Sequence, residues 1–266
     1  MSAENTQERL LSFAGVEVSY DGKPVLHDLT FSLHAGEILG IVGESGSGKS
    51  TILKAAMGLL GQGGQVTSGD ILWQGESLLA RSEKEMRTIR GAQLSMVFQD
   101  AGASLCPVRT VESQVYEALR AHQKLSRGEA TARTLALFEK LGFSDGERVL
   151  KSYPFELSGG MNQRVGIAMA MLLEPGVLLA DEPTSALDVA VQKQVLSELL
   201  RLRELFGTAI VLVTHDIGVV SAMADTVLVL KDGQAVEYGD AAQVLYAPRH
   251  AYTRQLLAAV PRLRRD

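Results

Sequence analysis

The chain has 266 residues, 46% of them hydrophobic and 21% charged, with a formal net charge of −5. That is globular composition with apolar mass for one large domain or two subdomains, and its acidic balance argues against a general affinity for nucleic acid. A single cysteine, Cys106, excludes a disulfide framework and any zinc or iron–sulfur site built on several thiolates, and fits a reducing cytoplasm.

The N-terminus, MSAENTQERLLSF, lacks the basic and apolar regions of a signal peptide. No run of about 18 apolar residues follows anywhere, so work at a membrane would need docking on another chain that spans it. Val16, Val18 and Tyr20 alternate with polar residues, Asp21-Gly22 predicts a turn, and 25–36 alternates again with Leu29, Phe31 and Leu33 on one face. This is a hairpin pattern. The apolar run EILGIVG (37–43) predicts a buried strand, and TILKAAMGLL (51–60) has helical spacing.

Between them lies GESGSGKS (43–50). Its G-x4-G-K-S spacing fits a phosphate-binding loop: glycines let successive N–H groups turn inward, and the helix beyond adds its unpaired N–H groups and dipole. Lys49 would reach the β- and γ-phosphates and the Ser50 hydroxyl would bind Mg2+. The strand–loop–helix context separates this reading from a plain Gly/Ser linker.

GDILWQG (69–75) predicts a strand, Ser82 and Glu85 a capping box for a short helix ending near Gly91, and QLSMVF (93–98) another strand. Gln99 directly after it is placed to bind Mg2+ or sense a water. From about 101 to 171 only helix signals occur. Ser126 and Glu129 form a second box opening a helix with Leu135, Phe138 and Leu141 on one face, and Ser144 with Glu147 suggests a third. SYPFEL (152–157) breaks the pattern and 158–173 resumes it. LSGGMNQR (157–164) is a second glycine-rich helix start, which attracts anions. Alone it is an ordinary helix start. Beside a phosphate loop, it suits presentation to the γ-phosphate held by a second copy of the chain.

GVLLAD (176–181) is a continuous apolar strand delivering Asp181 and Glu182 to its carboxyl end, where open α/β sheets bind ligands. Asp181 is placed to hold Mg2+ through water and Glu182 to polarise an attacking water. A helix is predicted over 189–206, a strand over 209–216 with His215 in its polar end, and a hairpin over 225–239 turning at Asp232-Gly233. The terminal basic cluster at 261–266 reads as a solvated tail. The order of elements predicts a parallel α/β core, an antiparallel β portion near the start and an inserted helical portion.

This set of motifs resembles the ATP-binding subunit of an ABC transporter. Walker A is GESGSGKS, the Q-loop glutamine Gln99, the signature LSGGM, Walker B VLLAD followed by Glu182, the D-loop SALD (185–188) and the switch histidine His215. The resemblance implies a RecA-like P-loop fold with an antiparallel β subdomain. Its core would span 1–99 and 172–247, its helical subdomain 100–171 and a short extension 248–266. It implies ATP contacts from Tyr20, which sits where the family stacks adenine, from Gly43, Glu44, Ser45, Gly46, Ser47, Gly48, Lys49, Ser50 and Thr51, and from Ser158, Gly159, Gly160, Met161 and Asp188. Ser50, Gln99 and Asp181 would hold Mg2+, and Glu182, His215 and Gln99 would act in hydrolysis. Met161 replaces the commonest glutamine of the signature, and Cys106 stands where asparagine is expected; neither removes a needed phosphate contact.

The segments FQDAGASLCPVRTV, DEPTSALDVAVQKQVL and YAPRHAYTRQLLAAVP resemble the peptide/nickel importer branch. Larger peptide-importing relatives carry a cysteine-rich tail. This chain stops short of it and lacks those cysteines, which tilts toward shorter members, including nickel or metallophore importers. The resemblance implies two transmembrane permease subunits, a second ABC ATPase subunit (identical or paralogous), an extracytoplasmic solute-binding protein, no nucleic acid, and a peripheral place at the cytoplasmic face of the inner membrane. Permease docking is expected at 100–115, through Asp100, Leu105 and Val108. The runner-up, a soluble ABC ATPase of DNA maintenance, would need long coiled coils or zinc modules between the halves of the site. A catalytically dead regulator would lack Lys49, Glu182 or His215, and all three are present.

Overall fold

The computed structural model describes residues 8–259; segment 1–7 and the basic cluster at 261–266 lie outside the described residues. In chain order the first elements are β1 (Arg9–Tyr20), β2 (Lys23–His34), β3 (Ile38–Val42), α1 (Lys49–Ala56), β4 (Gly64–Trp73), β5 (Glu76–Ser77), α2 (Glu83–Ile89) and β6 (Leu94–Val97). Then come α3 (Ala101–Ser104), α4 (Val111–Arg120), α5 (Arg127–Lys140), α6 (Gly146–Lys151) and α7 (Gly159–Ala170), with a short 3-10 turn at Pro154–Glu156. The rest is β7 (Val177–Asp181), α8 (Val189–Phe206), β8 (Ala209–Thr214), α9 (Ile217–Met223), β9 (Thr226–Lys231), β10 (Gln234–Asp240), α10 (Ala241–Tyr246) and α11 (Ala251–Ala258). They form two compact units, one of residues up to 86 together with 209 onward, the other 87–208.

The first unit holds an antiparallel sheet of order β2-β1-β4-β5 and a run of strands β10-β9-β3-β8. The β1–β2 turn is Asp21-Gly22, with φ 48° and 76°. Two positive φ angles in a two-residue loop match the right-handed strand twist, which is why an Asp-Gly pair sits there. Leu29, Phe31 and Leu33 are buried as the alternation predicts, and Phe31 stacks on Phe13 at 4.6 Å. Strand β4 begins at Gly64, five residues before the predicted start. Its first half is polar and half-exposed, so periodicity is silent, and pairing with β1 (Tyr20↔Gly64, Ser19↔Gln65) makes it a strand. Strand β3 pairs in parallel with β8 and with β9, and β10 returns antiparallel on β9. Every residue of β3 and β8 is buried, as expected of parallel strands covered on both faces.

In the second unit β6 pairs in parallel with β7, and all regular elements between them are helical. The Ser126–Glu129 capping box forms on α5. Its core stripe is Ala130, Thr134, Leu137 and Phe138, while Leu135 is only half-buried. The box expected at Ser144 is not the cap of α6: Asp145 takes that place, accepting from Arg148 N at 3.0 Å. A carboxylate next to the positive end of the helix dipole is the stronger acceptor. Three short helices, α9 to α11, were not predicted. At six to eight residues they are too brief for periodicity to declare, although Asp216, Asp240 and His250 cap them.

Helix α7 is fixed to α8 by a buried ion pair. Arg164 donates through Nε to Glu198 Oε1 and through Nη2 to Leu141 O, and its guanidinium lies over Phe143 at 4.2 Å. Glu198 Oε2 is buried without a hydrogen-bond partner. Burial therefore pushes the Glu198 carboxyl from 4.5 up to about 7, against the opposing pull of Arg164. Between those values the folded chain retains a proton that the unfolded chain has released. Stability should thus fall as pH rises across the window, by up to about 3 kcal/mol, and stay level above it. Glu198→Gln should flatten that slope in urea unfolding followed at pH 5 and pH 7.5.

Candidate functional site

In the first unit the phosphate loop starts where β3 ends. A Cβ on Gly43 would lie 2.2 Å from Leu230 O, so backbone passes backbone there with no room for a side chain. Gly48, at φ 102°, is the N-cap of α1 and supplies no side-chain cap, which leaves the helix start open to a ligand. Lys49 is buried and folded over its own loop, Nζ donating to Gly43 O and Glu44 O at 2.8 Å each. Ser47 Oγ is buried without a hydrogen-bond partner, and Gly233 N, in the β9–β10 turn, supports the loop by donating to Ser47 O at 3.0 Å. A curled backbone, an ammonium resting on carbonyls and an orphaned hydroxyl form a donor set suited to a polyphosphate.

The register Val42↔Thr214 puts Gly43 and His215 at the carboxyl ends of neighbouring parallel strands. Tyr20 ends β1, half-buried, with its ring beside Gly64: a Cβ there would lie 2.8 Å from Tyr20 Cε1.

In the second unit the register Val97↔Ala180 brings Gln99 and Asp181 to the same end of the β6–β7 pair. Asp181 is buried. Glu182 takes a left-handed φ of 44°, a strain on the order of 1 kcal/mol for a side chain of this kind, and Ser185 N closes the turn on Glu182 O at 3.0 Å. The turn aims the carboxylate at Gln99, whose Nε2 donates to Glu182 Oε2 at 3.3 Å and to Ser185 Oγ at 3.5 Å. Asp188 caps α8 by accepting from Ala190 N and Val191 N at 3.0 Å each. Ser158 caps α7, accepting from Met161 N at 3.2 Å. A Cβ on Gly160 would stand 2.4 Å from Val191 Cγ1, whereas one on Gly159 would meet nothing within 4 Å. Close packing thus requires the second glycine, and open space surrounds the first.

Two residues escaped sequence reasoning. Ser185 joins the Gln99–Glu182 cluster, and only its place in SALD hinted at it. Gln114 latches the segment after α3, accepting from Cys106 N at 2.7 Å and donating to Arg109 O at 3.0 Å, and no sequence signal marks it. One expectation is corrected: Leu105 is 6% exposed and belongs to the core, while Val108 at 78% is exposed.

The family model for the ABC transporter matches residues 26–185, more than half of the chain. The chain belongs to the ABC transporter family. A second model, for the C-terminal region of oligopeptide/dipeptide transporters, matches 236–266. The cassette is 47% identical over 238 residues to the oligopeptide transport ATP-binding protein OppD of Salmonella typhimurium, covering 90% of this chain and 71% of OppD. It is 43% identical over 261 residues to the dipeptide transport ATP-binding protein DppD of Bacillus subtilis, covering 96% of this chain and 78% of DppD. Among solved structures it matches the dimeric post-hydrolysis state of the ATP-binding cassette MJ0796 bound to ADP and Pi, at 28% identity and TM-score 0.76, over 87% of this chain and 99% of that one. The ABC cassette is thus a P-loop α/β ATPase domain, with a parallel-sheet core and an antiparallel sheet. No helix among its described residues is long and apolar enough to cross a membrane.

Gly43→Ala should be the most damaging loop substitution, because the new methyl meets backbone that cannot yield. A loss of about 3 kcal/mol in denaturant unfolding, with weakened ATP binding, is expected. Gly46→Ala, with φ 81° but nothing within 4 Å, should cost only about 1 kcal/mol.

Proposed function

We propose that this cassette is the ATP-hydrolysing subunit of an importer of short peptides. The observation that carries the solute class is the C-terminal match at 236–266, described for oligopeptide and dipeptide transporters, together with OppD and DppD. Kinship at this level disfavours the reading as an ATPase of DNA maintenance. In this proposal the cassette sits at the cytoplasmic face of the inner membrane. It works with two permease subunits, a second ATPase subunit and an extracytoplasmic solute-binding protein, and Val108 belongs to its docking surface.

Within the site, Gly43 to Thr51 cradle the phosphates of ATP and Tyr20 stacks on its adenine. Ser50, Gln99 and Asp181 would hold Mg2+, which supplies charge neutralisation at the phosphates when bound. Glu182 accepts the hydrogen bond of the attacking water, Gln99 orients Glu182 through the contact already formed between them, and His215 addresses the γ-phosphate side. Phosphoryl transfer asks chiefly for such positioning and neutralisation. A single loop leaves one side of the γ-phosphate open to solvent. The start of α7, with Ser158, Gly159, Gly160 and Met161, and the D-loop Asp188 would close it from a second cassette facing head to tail. Hydrolysis followed by release of ADP and phosphate then opens the pair and drives the permease. The MJ0796 cassette, described as dimeric with ADP and Pi bound, supports the pairing of two cassettes.

Glu182→Gln should bind ATP normally and lose at least about a hundredfold in turnover, the usual weight of a general base; Lys49→Ala should fail earlier, at nucleotide binding. Both are read by ATP titration and by phosphate release in the assembled complex, and wild-type turnover by the Gln variant removes Glu182 from its role. In proteoliposomes with permease and binding protein, short peptides should stimulate hydrolysis. Stimulation only by nickel or a metal chelate overturns the solute assignment.

A further inference from the structure

A single peptide group at the mouth of the phosphate loop is held from both sides. Its carbonyl, Gly43 O, accepts from Lys49 Nζ at 2.8 Å, and its N–H, on Glu44, donates to the Tyr252 hydroxyl at 3.2 Å. Tyr252 lies in α11, inside the 236–266 region. Its ring is 5% exposed and packs in one cluster with Val42, the last residue of β3, and with Val220, Val229 and Val244. The Lys231 ammonium lies over the ring at 5.1 Å. Helix α11 is itself tethered. Glu237 on β10 accepts from Arg249 N at 2.7 Å and His250 N at 3.1 Å, and His250 Nδ1 caps the helix from Tyr252 N at 3.2 Å. Burial works to raise the Glu237 carboxyl, but the Arg249 and His250 N–H bonds, with the Thr253 side chain and the His250 ring, outweigh it and hold it below its ordinary range. Burial, foremost, raises the Tyr252 phenol, so it stays a neutral hydroxyl.

We propose that Tyr252 is a positioning residue of the ATP site: from the C-terminal segment, its hydroxyl pins the Gly43–Glu44 peptide and so sets the mouth of the phosphate loop. The inference rests on the reading of this loop as the ATP site. Without nucleotide, Lys49 and Tyr252 share the peptide. Phosphates draw the Lys49 ammonium away from Gly43 O, and the Tyr252 bond is then what holds the peptide in place. The bond matters more with ATP bound than without it, so its removal weakens binding as well as folding. It also gives the C-terminal region a physical task that its distance along the sequence conceals.

The test is Tyr252→Phe in the full chain, which deletes the hydroxyl and keeps the ring. Affinity for MgATP is titrated by calorimetry, with KM and kcat from phosphate release. Loss of one neutral hydrogen bond predicts about a fivefold rise in Kd and KM with kcat within about twofold of wild type. Glu237→Gln, which loosens the tether of α11 and leaves the hydroxyl in place, should move Kd the same way. Tyr246→Phe, at an exposed tyrosine on α10, should not move it. A lower melting temperature with unchanged Kd in both Tyr252→Phe and Glu237→Gln overturns the proposal and leaves Tyr252 a packing residue. An equal rise with Tyr246→Phe overturns it as unspecific. Wild-type chain that fails to bind MgATP at all sinks the ATP-site reading itself, a result distinct from the other two.

Discussion

A chain of phosphates is held best by backbone N–H groups that converge from a curled loop and a helix start, and that geometry tolerates no side chain on the inner wall. The rest of the first unit serves this constraint. Strand β3 is buried on both faces between β8 and β9, so its end is a fixed point from which the loop can curl. The end of β9 closes one wall against Gly43, and the β9–β10 turn supports Ser47 from beyond. Lys49 completes the loop by lying on the carbonyls of Gly43 and Glu44, a position it would exchange for phosphate oxygens of greater charge.

The second unit answers a different demand, the orientation of a carboxylate. Parallel strand β7 can deliver Asp181 and Glu182 only to its end. Pointing Glu182 at Gln99 takes a left-handed turn that a glutamate adopts at a cost. Such strain persists when the surroundings over-determine it, here through the Ser185 turn bond and the fully buried strand behind it. The start of α7 is fixed in the same spirit. Gly160 lets α7 meet Val191, Ser158 caps the helix, and Arg164 locks it against Glu198. That lock is a buried ion pair with one oxygen unanswered, a device for geometry more than for stability.

The division of labour between these features explains how the cassette can be an ATPase yet need partners. In the proposed reading, each glycine-rich start offers backbone N–H groups to the nucleotide and neither surrounds it alone. A site assembled from two such starts would respond to the nucleotide and to the neighbouring chain together, which is the coupling a transporter requires.

Much of this was legible in the sequence because it is local chemistry. The phosphate loop, the strand ends bearing Gln99, Asp181, Glu182 and His215, the hairpin turns at Asp21-Gly22 and Asp232-Gly233, and the Ser126 box are written in short spacings with one physical solution each. What the sequence left unread depends on contacts between distant segments. The first half of β4 is a strand only because β1 pairs with it, Leu105 is buried only once the chain has folded, and Gln114 matters only because a loop folds back to it. The left-handed turn at Glu182 follows from the aim of a side chain, which no residue propensity encodes. The grip of Tyr252 on Glu44, 208 positions away, is set by the packing of α11 on the sheet. Sequence by itself determined which groups stand on the phosphate loop and at the strand ends; tertiary structure alone decided what holds those groups in place, because a hydrogen bond across two hundred residues has no period and no spacing to betray it.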